Sequence, residues 1–447
     1  MNTKEEILQT GLWKLMFKMS LPGIWGMLMV SVNTLVDAVY VSQLVGNIAF
    51  GGVSLSMPLF TVNAAVTAMF SSGASALYSR AIGETDLQLR NQLFAHLTIL
   101  VVLASLVLGL AGIWLAVPAL TFLGADQAMM HYGKPFFQLA MAGGFSSMMG
   151  LTSSALIRAE GNVRFAMKIT AIAVALNILI NPILIKTFHL GVRGSAMATI
   201  ISMGIYTFLN IRYFYRGKGY LDLKQKWSFQ PNLLLRILQT GLPSFFMQIN
   251  GFFRQFILFK LVADYSGSAL QLTAFTAIYR LFSFSAIPVF GMLQAFSPVV
   301  GINLGAGQKE RVREAVSVFR TGAVVLLLIL ALPGFLFPRT MLSLLVPDAV
   351  LPDDLVFYFR TVLLALPLMP FASTSIVFLQ VSKNSRIASR LTFSRELFIF
   401  LPVIFCLTHF KGYAGIYYGL LLENLLYMLL VYLVTRKIMT KELDTVP

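Results

Sequence analysis

Residues 21–44, LPGIWGMLMVSVNTLVDAVYVSQL, form an apolar run that contains a single charged side chain, Asp37. An α-helix needs about 20 consecutive apolar residues to cross the hydrocarbon core of a bilayer. The run is long enough to do so, and Asp37 lies well inside it. This stretch therefore predicts a membrane-spanning helix that holds an acid away from bulk water.

Runs of the same kind follow one another along the 447 residues. The chain is 57% hydrophobic and 12% charged, whereas a typical soluble domain is about 25% charged. The runs lack the two-residue alternation of a barrel strand. We predict an all-α integral membrane protein with twelve transmembrane helices, near residues 16–42, 49–79, 93–117, 130–157, 165–187, 194–215, 236–264, 268–301, 316–337, 355–381, 387–409 and 413–435.

The distribution of Lys and Arg predicts the orientation. One set of alternate loops and span ends carries 24 of these residues and the opposite set carries 6. Because cytoplasmic loops are enriched in Lys and Arg, both termini and the basic loop near 213–235 are predicted in the cytoplasm. The same bias accounts for the net charge of +16, so no nucleic-acid partner is expected. The N-terminal residues lack the pattern of a signal peptide and predict a short interfacial helix.

An internal repeat runs through the chain at a nearly constant offset. The matches, at 221 or 222 residues, are Leu21-Pro22 with Leu242-Pro243, Ile82-Gly83 with Leu304-Gly305, Arg164 with Arg386, and Gly191 and Gly194 with Gly412 and Gly415. They predict two six-helix repeats, 1–219 and 220–447, related by a pseudo-two-fold axis along the membrane normal. Such repeats are typical of transporters. A duplicated scaffold without a transport role is the alternative.

Asp37 is the main functional candidate. An ionisable residue inside a membrane span is costly and commonly functional. Asn33 precedes it by four residues on the same helix face, and basic residues of the first-half spans lie only near their ends. Burial disfavours the charged form of a carboxylic acid, so we predict that Asp37 binds and releases a proton. The alternatives are a permanently ionised acid at a wet vestibule and an acid that only links helices.

Three polar residues further along the chain are candidate partners of Asp37. Asn177 and Asn181 lie one turn apart in the fifth predicted helix, and Thr199 lies in the sixth. They either complete a site with Asp37, for a proton or a hard cation, or simply bridge helices. Pro22, in the first helix, favours a bend. It predicts a hinge in the moving helix, with a static kink as the alternative.

The second half does not repeat this polar pattern. Apolar residues occupy the positions that match Asp37, Asn177 and Asn181: Leu258, Phe398 and Pro402. Instead, Arg254 or Arg280 is predicted to form structural ion pairs with Glu396 or Glu423. We therefore expect the cation-responsive carboxylate to belong to the N-terminal half.

Aromatic and methionine side chains suit varied lipophilic or cationic ligands, although most of them in a bundle only pack or face lipid. The candidate substrate cavity comprises Met57, Phe60, Phe145, Gln248, Phe252, Arg254, Tyr279, Arg280 and Phe284. The single cysteine, Cys406, excludes an intrachain disulfide, and the four histidines are scattered. We predict no metal site and no cofactor other than the coupling ion.

Four stretches resemble the multidrug and toxic compound extrusion (MATE) family, in particular its bacterial DinF-like branch. They are LPGIWGMLMVSVNTLVDAVYVSQL, IRAEGNVRFAMKITAIAVALNILINPILI, LGVRGSAMAT and PVFGMLQAFSPVVGINLGAGQKERV. The resemblance implies that Asp37 is the cation-coupling acid, joined by Asn177 and Thr199, and that Pro22 bends its helix. It also implies a non-enzymatic antiporter of the bacterial inner membrane, which exports lipophilic or cationic drugs through a V-shaped cavity by alternating access. We expect a monomer, since a carrier of twelve helices can work as one.

One departure bears on the coupling ion. The family often has an aspartate where this chain has Asn181, and its absence favours H⁺ over Na⁺. A flippase for lipid-linked saccharides is a second alternative, since Arg254 and Arg280 would suit its anionic substrate. A membrane-embedded enzyme that uses clustered acids to bind magnesium is a third alternative, but the acidic pair considered for it, Asp353-Asp354, lies in an outer loop.

Overall fold

The computed structural model describes residues 3–221, 228–346 and 352–444, and within them every regular element is helical. The helices, in chain order, are α1 (Thr3–Gln9), α2 (Leu12–Leu44), α3 (Asn47–Glu84), α4 (Leu87–Phe122), α5 (Gln127–Ala142), α6 (Gly144–Ala159), α7 (Val163–Pro182), α8 (Gly191–Tyr215), α9 (Pro231–Tyr265), α10 (Ala269–Gly305), α11 (Lys309–Leu336), α12 (Pro338–Ser343), α13 (Asp353–Leu363), α14 (Met369–Val381), α15 (Ser385–Ser394), α16 (Leu401–Lys411) and α17 (Tyr413–Asp444).

The predicted all-α membrane fold is confirmed. Ten helical segments within the described residues are long and apolar enough to cross a bilayer. The other two predicted spans are 127–159, which is interrupted at Gly143, and α9, which carries polar side chains along its length. Several helices extend beyond the predicted ends, by nine residues at the end of α17. α4 begins six residues early because the Asp86 side chain caps it by accepting from the Leu89 backbone N–H, at 2.9 Å.

Two π-helical turns interrupt the long spans. One, Ile183–Thr187, follows Pro182 at the end of α7, and the other, Arg395–Phe400, joins α15 to α16. Proline removes a backbone donor from the helix ladder, which accounts for the first. Hydrophobic periodicity predicted neither turn. Each lies beside a polar cluster described below, as π turns commonly do at functional sites.

We call the helices of the first predicted repeat, α2–α8, the N-lobe and those of the second, α9–α17, the C-lobe. α2 packs against α10, and α3 packs reciprocally against α9. We define the basic face as the end of the bundle that holds α1, the end of α3 and the start of α11. The predicted linker near 213–235 includes residues 222–227, which lie outside the described residues.

Glycines bring the backbones of the two lobes into contact. A Cβ atom at Gly73 would lie 2.1 Å from the Ile237 carbonyl oxygen, and one at Gly83 would lie 2.4 Å from that of Ile302. A Cβ at Gly23, next to Pro22, would lie 2.5 Å from the Gly291 oxygen. Such close approach requires residues without side chains. These three glycines lie in the halves of their helices that are nearest the basic face. The lobes therefore contact each other at that end, which corresponds to the closed end of the predicted V-shaped cavity.

The short helix α1 connects the two lobes at the basic face. Its Ile7 side chain is buried, and Lys4 Nζ donates to the Gly83 carbonyl oxygen of α3, in the N-lobe, at 3.3 Å. Arg311 of α11 donates to the Ile7 carbonyl oxygen at 2.9 Å and also to that of Thr10. The predicted interfacial helix is thus a bridge between the lobes.

Candidate functional site

The packing of α2 against α7 brings Asp37 beside two asparagine amides. Asn181 Nδ2 donates to Asp37 Oδ1 at 2.8 Å, and Asn33 Nδ2 donates to Asp37 Oδ2 at 3.2 Å. Asn33 reaches the carboxylate because residues four apart lie on the same helix face. Each carboxylate oxygen therefore accepts one amide donor, and Asp37 itself is half-buried.

A second cluster lies one turn away on α7. Asn177 Nδ2 is 3.4 Å from both Thr199 Oγ1 and Ser202 Oγ of α8. Within the described residues, neither Asn177 nor Thr199 hydrogen bonds to Asp37. Ser202 was not among the predicted site residues, although its position three residues after Thr199 places it on the same helix face. Asn177 and Asn181, both buried, thus connect two adjacent polar clusters through one face of α7.

The amide oxygens of this site have no hydrogen-bond donors. Asn33 Oδ1, Asn177 Oδ1 and Asn181 Oδ1 are buried without a partner among the described residues. An asparagine amide presents N–H donors on one side and an acceptor oxygen on the other, and rotation exchanges them. The same residues can therefore donate to ionised Asp37, accept from protonated Asp37, or offer oxygen ligands to a hard cation.

The charges of the C-lobe are arranged differently. Arg254 Nη2 lies 2.7 Å from Glu396 Oε1, and Arg254 Nη1 lies 2.5 Å from Glu423 Oε1. Arg395 Nη2 lies 3.2 Å from the same Glu423 oxygen and 3.0 Å from Asn424 Oδ1. The structural pairs predicted for Arg254 are present, whereas Arg280 is exposed and takes no part in them. Two guanidinium groups and two carboxylates neutralise one another.

A cavity of about 310 Å³ in the C-lobe opens beside this network. Its walls include Arg254 and Tyr279 together with Met247, Phe290 and Met369. Of the nine residues predicted for a substrate cavity, Arg254 and Tyr279 line this one. The others do not: Met57, Phe60, Phe145, Gln248, Phe252, Arg280 and Phe284. Phe60 instead packs edge-on against Phe137 of the N-lobe, with ring centroids 5.3 Å apart.

A further buried acid, Glu160, lies just beyond the end of α6 at the basic face. It accepts from the Tyr78 hydroxyl at 2.5 Å, the Tyr213 hydroxyl at 2.8 Å and the Tyr220 backbone N–H at 2.8 Å. Burial raises the pKa of Glu160 to about 7, although these hydrogen bonds and the charge of Arg90 favour the ionised form. Glu160 was not predicted as a site residue, because its three partners lie between 53 and 82 positions away from it in the chain.

The model of the MatE family matches residues 22–183 and 243–406, which include Asp37 of α2, Asn177 and Asn181 of α7, and Arg254 and Glu396 of the C-lobe. The chain belongs to the MatE family. Its two matched segments begin 221 residues apart, at residues 22 and 243. The resemblance to MATE transporters is thereby confirmed, and with it the class of multi-pass membrane transporter.

Curated relatives are similar over nearly their whole length. The chain is 24% identical over 436 residues to the multidrug export protein MepA of Staphylococcus aureus (strain bovine RF122 / ET3-1), covering 94% of each. It is 22% identical over 421 residues to MepA of Staphylococcus haemolyticus (strain JCSC1435), covering 93% of this chain and 91% of that one.

Solved structures of MATE transporters share the fold. An outward-facing multidrug resistance MATE transporter of the MOP superfamily superposes with a TM-score of 0.90 at 24% identity, over 98% of both chains. A MATE structure described as bent gives a TM-score of 0.91 at 24% identity, over 99% of this chain and 98% of that one. In the present structure α2 runs through Pro22 as one helix, and the hinge at Pro22 stays a prediction.

Proposed function

We propose that this chain is a proton-coupled multidrug antiporter of the bacterial inner membrane and that Asp37 is its protonation site. The observation that carries the proposal is the environment of Asp37. Its half-buried carboxylate is held by two neutral amides, and no salt bridge to it is formed within residues 3–221, 228–346 and 352–444. A carboxyl group without a fixed counter-charge can change its own charge at low cost.

The amides also allow both protonation states to persist in the site. When Asp37 is ionised, Asn33 and Asn181 donate to it. When Asp37 is protonated, its O–H needs an acceptor, which the Oδ1 atom of either asparagine supplies after rotation of the amide. Proton binding thus changes the hydrogen bonds between α2 and α7 without leaving a buried polar group unpaired.

The arrangement of the lobes supports exchange across the membrane. With the basic face in the cytoplasm, the inter-lobe contacts of Gly73 and Gly83 close the cytoplasmic end and leave the opposite end free to admit protons. Protonation of Asp37 then alters α2, a helix that contacts the C-lobe at Gly23. We propose that export follows from alternation between this closure and a closure at the opposite end, in a monomer with an N-lobe of 1–219 and a C-lobe of 220–447.

The substrates are proposed to be lipophilic or cationic organic compounds. The C-lobe cavity combines methionine, aromatic and balanced charged walls, which adapt to varied ligands. The similarity to proteins named for multidrug export supports the same class. A flippase is disfavoured because Arg254 is neutralised by two carboxylates and Arg280 lies outside the cavity. A magnesium enzyme is disfavoured because Asp353 is exposed and pairs with Arg339.

Sodium is the second candidate coupling ion. The three unpaired amide oxygens and the Asp37 carboxylate would supply oxygen ligands of the kind that hard cations require. However, the site holds one carboxylate, since Asn181 replaces a second acid. A single negative charge gives less compensation for the dehydration of a cation, so protons remain the better candidate.

The test is export from proteoliposomes of defined internal and external ions. We expect an imposed pH gradient without sodium to drive export of a cationic dye, and substrate addition to cause an opposing proton flux. Asp37→Asn is the control that removes the titrating group. Strict dependence on a sodium gradient would contradict proton coupling, while failure of every organic cation, anion and neutral dye tested would contradict multidrug export.

A further inference from the structure

A second C-lobe cavity, of about 330 Å³, lies between α11 and α17 near the basic face. Arg313 and Arg320 of α11 and Arg436 of α17 contribute to its walls, together with Tyr432 and Thr435. None of these residues lines the cavity beside Arg254. The site is therefore separate from the proposed transport machinery and does not depend on it.

Arg320 is the most informative residue of this cavity. Its guanidinium carbon lies 5.3 Å from the centre of the Phe371 ring and 5.6 Å from that of Tyr432. Its hydrogen bond to Thr374 Oγ1 is long, at 3.5 Å. No carboxylate pairs with Arg320 in the described part of the chain. By contrast, Arg254 and Arg395 of the same lobe share two glutamates, so this lobe does provide acids where an arginine is neutralised internally.

An arginine held against aromatic rings within a membrane bundle is costly unless an opposite charge approaches it. One other polar group of the cavity wall is also unpartnered. The Thr435 side chain is 2% exposed, and its hydroxyl has no hydrogen-bond partner among the described residues. Arg313 pairs with Glu310 at the surface, at 3.1 Å. The cavity consequently keeps an excess of positive charge.

We propose that this cavity binds a phosphate group. Guanidinium groups present planar, paired donors that match phosphate oxygens, and Arg320 and Arg436 approach the cavity from two different helices. Basic pockets between membrane helices on the cytoplasmic side are a known type of anionic lipid site. A hydroxyl such as that of Thr435 adds a donor without adding charge.

The surroundings indicate that a phospholipid headgroup is the source of the phosphate. Leu429, Leu433 and Arg436 lie on one face of α17, at spacings of four and three residues. Both leucines are exposed, at 45% and 62%. An acyl chain along this apolar face would therefore end with its headgroup at Arg436. Free phosphate shares the recognition chemistry but makes no use of the apolar face.

The experiment uses the full-length protein in detergent, with the thermal unfolding midpoint as the readout. Phosphatidylglycerol, phosphatidylcholine and inorganic phosphate are titrated separately. We expect phosphatidylglycerol to raise the Tm and phosphatidylcholine to raise it less. Arg320→Gln should weaken the apparent affinity for phosphatidylglycerol at least about tenfold, and Arg320→Lys should weaken it less. Arg436→Gln, at an exposed position, repeats the test where folding is not at risk.

Arg386→Gln is the matched control, since it removes an exposed C-lobe arginine that does not line this cavity. It should leave the phosphatidylglycerol response unchanged. Inorganic phosphate could instead raise the Tm while phosphatidylglycerol does not, with the rise lost in Arg320→Gln. That result would support a phosphate site but would overturn the lipid as its ligand in favour of a soluble phosphate. Equal responses to both lipids, or an unaltered phosphatidylglycerol response in both Arg320→Gln and Arg436→Gln, would overturn the proposal.

Discussion

Both lobes match the MatE family model, but their buried charges are arranged in opposite ways. In the N-lobe, Asp37 accepts from two amides, and no cationic side chain of the described residues pairs with it. In the C-lobe, the matching position is the buried Leu258, and the charged residues lie elsewhere, as the network of Arg254 and Arg395 with Glu396 and Glu423.

The comparison separates two uses of a carboxylate inside a membrane. A carboxylate between two guanidinium groups stays ionised, because protonation would leave buried positive charge without a partner. A carboxylate held by neutral amides loses little when it is protonated. The N-lobe arrangement suits a group that changes its charge, and the C-lobe arrangement suits a permanent link between helices.

The largest effect is expected from Asp37→Asn. The variant keeps the shape and hydrogen-bonding capacity of the side chain but cannot titrate, so export should fall by at least about a hundredfold. Folding should change by no more than about 1 kcal/mol, since no ion pair is lost. Dye export from cells and the Tm of the purified variant measure the two quantities.

Asp37→Glu, which retains a titrating acid, should recover part of the export activity. Drug resistance at the wild-type level in cells that carry Asp37→Asn would remove Asp37 from the coupling mechanism.

In the C-lobe, removal of a charged residue from the network is expected to lower the stability of the protein. Arg254→Met leaves two carboxylates against one guanidinium and should destabilise the protein by about 3–5 kcal/mol. The double variant Arg254→Met with Glu396→Met restores charge balance and should be more stable than the single variant. Thermal or denaturant unfolding measures both, and a double variant that is less stable than Arg254→Met would contradict a charge-balanced network.

Asn181→Leu tests the amides of the coupling site. It removes the donor at 2.8 Å from Asp37 Oδ1, and a hydrogen bond to a charged group is worth about 1.5–3 kcal/mol. Export should therefore fall roughly tenfold, with a shift in its pH dependence. Asn177→Leu is the matched control on the same helix face and should have a smaller effect. Equal losses in the two variants would mean that α7 packing, rather than Asp37, explains them.

The smallest expected effect is the contribution of Glu160 to the pH dependence of the unfolding free energy. Its pKa is raised to about 7 by burial, above the ordinary value near 4.5, so the folded state binds more protons than the unfolded state between these values. Stability should then fall as pH rises through this window, by about 1 kcal/mol per pH unit, and level off above pH 7. The measurement is the difference in unfolding free energy between wild type and Glu160→Gln from pH 5 to pH 8. A difference that does not vary with pH would contradict the shift.

Sequence patterns were sufficient for the spans and for the principal acid. Long apolar runs identified the helices, and the isolated charge at Asp37 marked the candidate site, because both signals are local. The partners of Asp37 were only partly predictable. Asn33 shares its helix face, but the assignment of Asn181 to Asp37, and of Asn177 to Thr199 and Ser202, depends on how α2, α7 and α8 pack.

The dependence on helix packing also explains why the Glu160 cluster and the Arg320 cavity were not predicted from the sequence. The Glu160 cluster joins residues separated by 82 and 53 positions along the chain. The importance of Arg320 depends on the lack of a paired carboxylate among the residues that the structure describes, which only the packing of the helices reveals. The cavity predictions at Met57, Phe145 and Phe284 relied on residue type alone. All three side chains are exposed, and none lines the C-lobe cavity.

The bridge formed by α1 has a practical consequence. The carbonyl oxygens of Ile7 in α1 and of Thr10 just after it accept from Arg311 of the C-lobe, while Lys4 Nζ donates to the Gly83 carbonyl oxygen of the N-lobe. If the lobes part at the basic face during transport, one set of these bonds breaks and α1 travels with a single lobe. Fluorophores or spin labels placed on α1 and on α11 would then report each opening event directly. A bulky fusion partner joined to the N-terminus would slow transport.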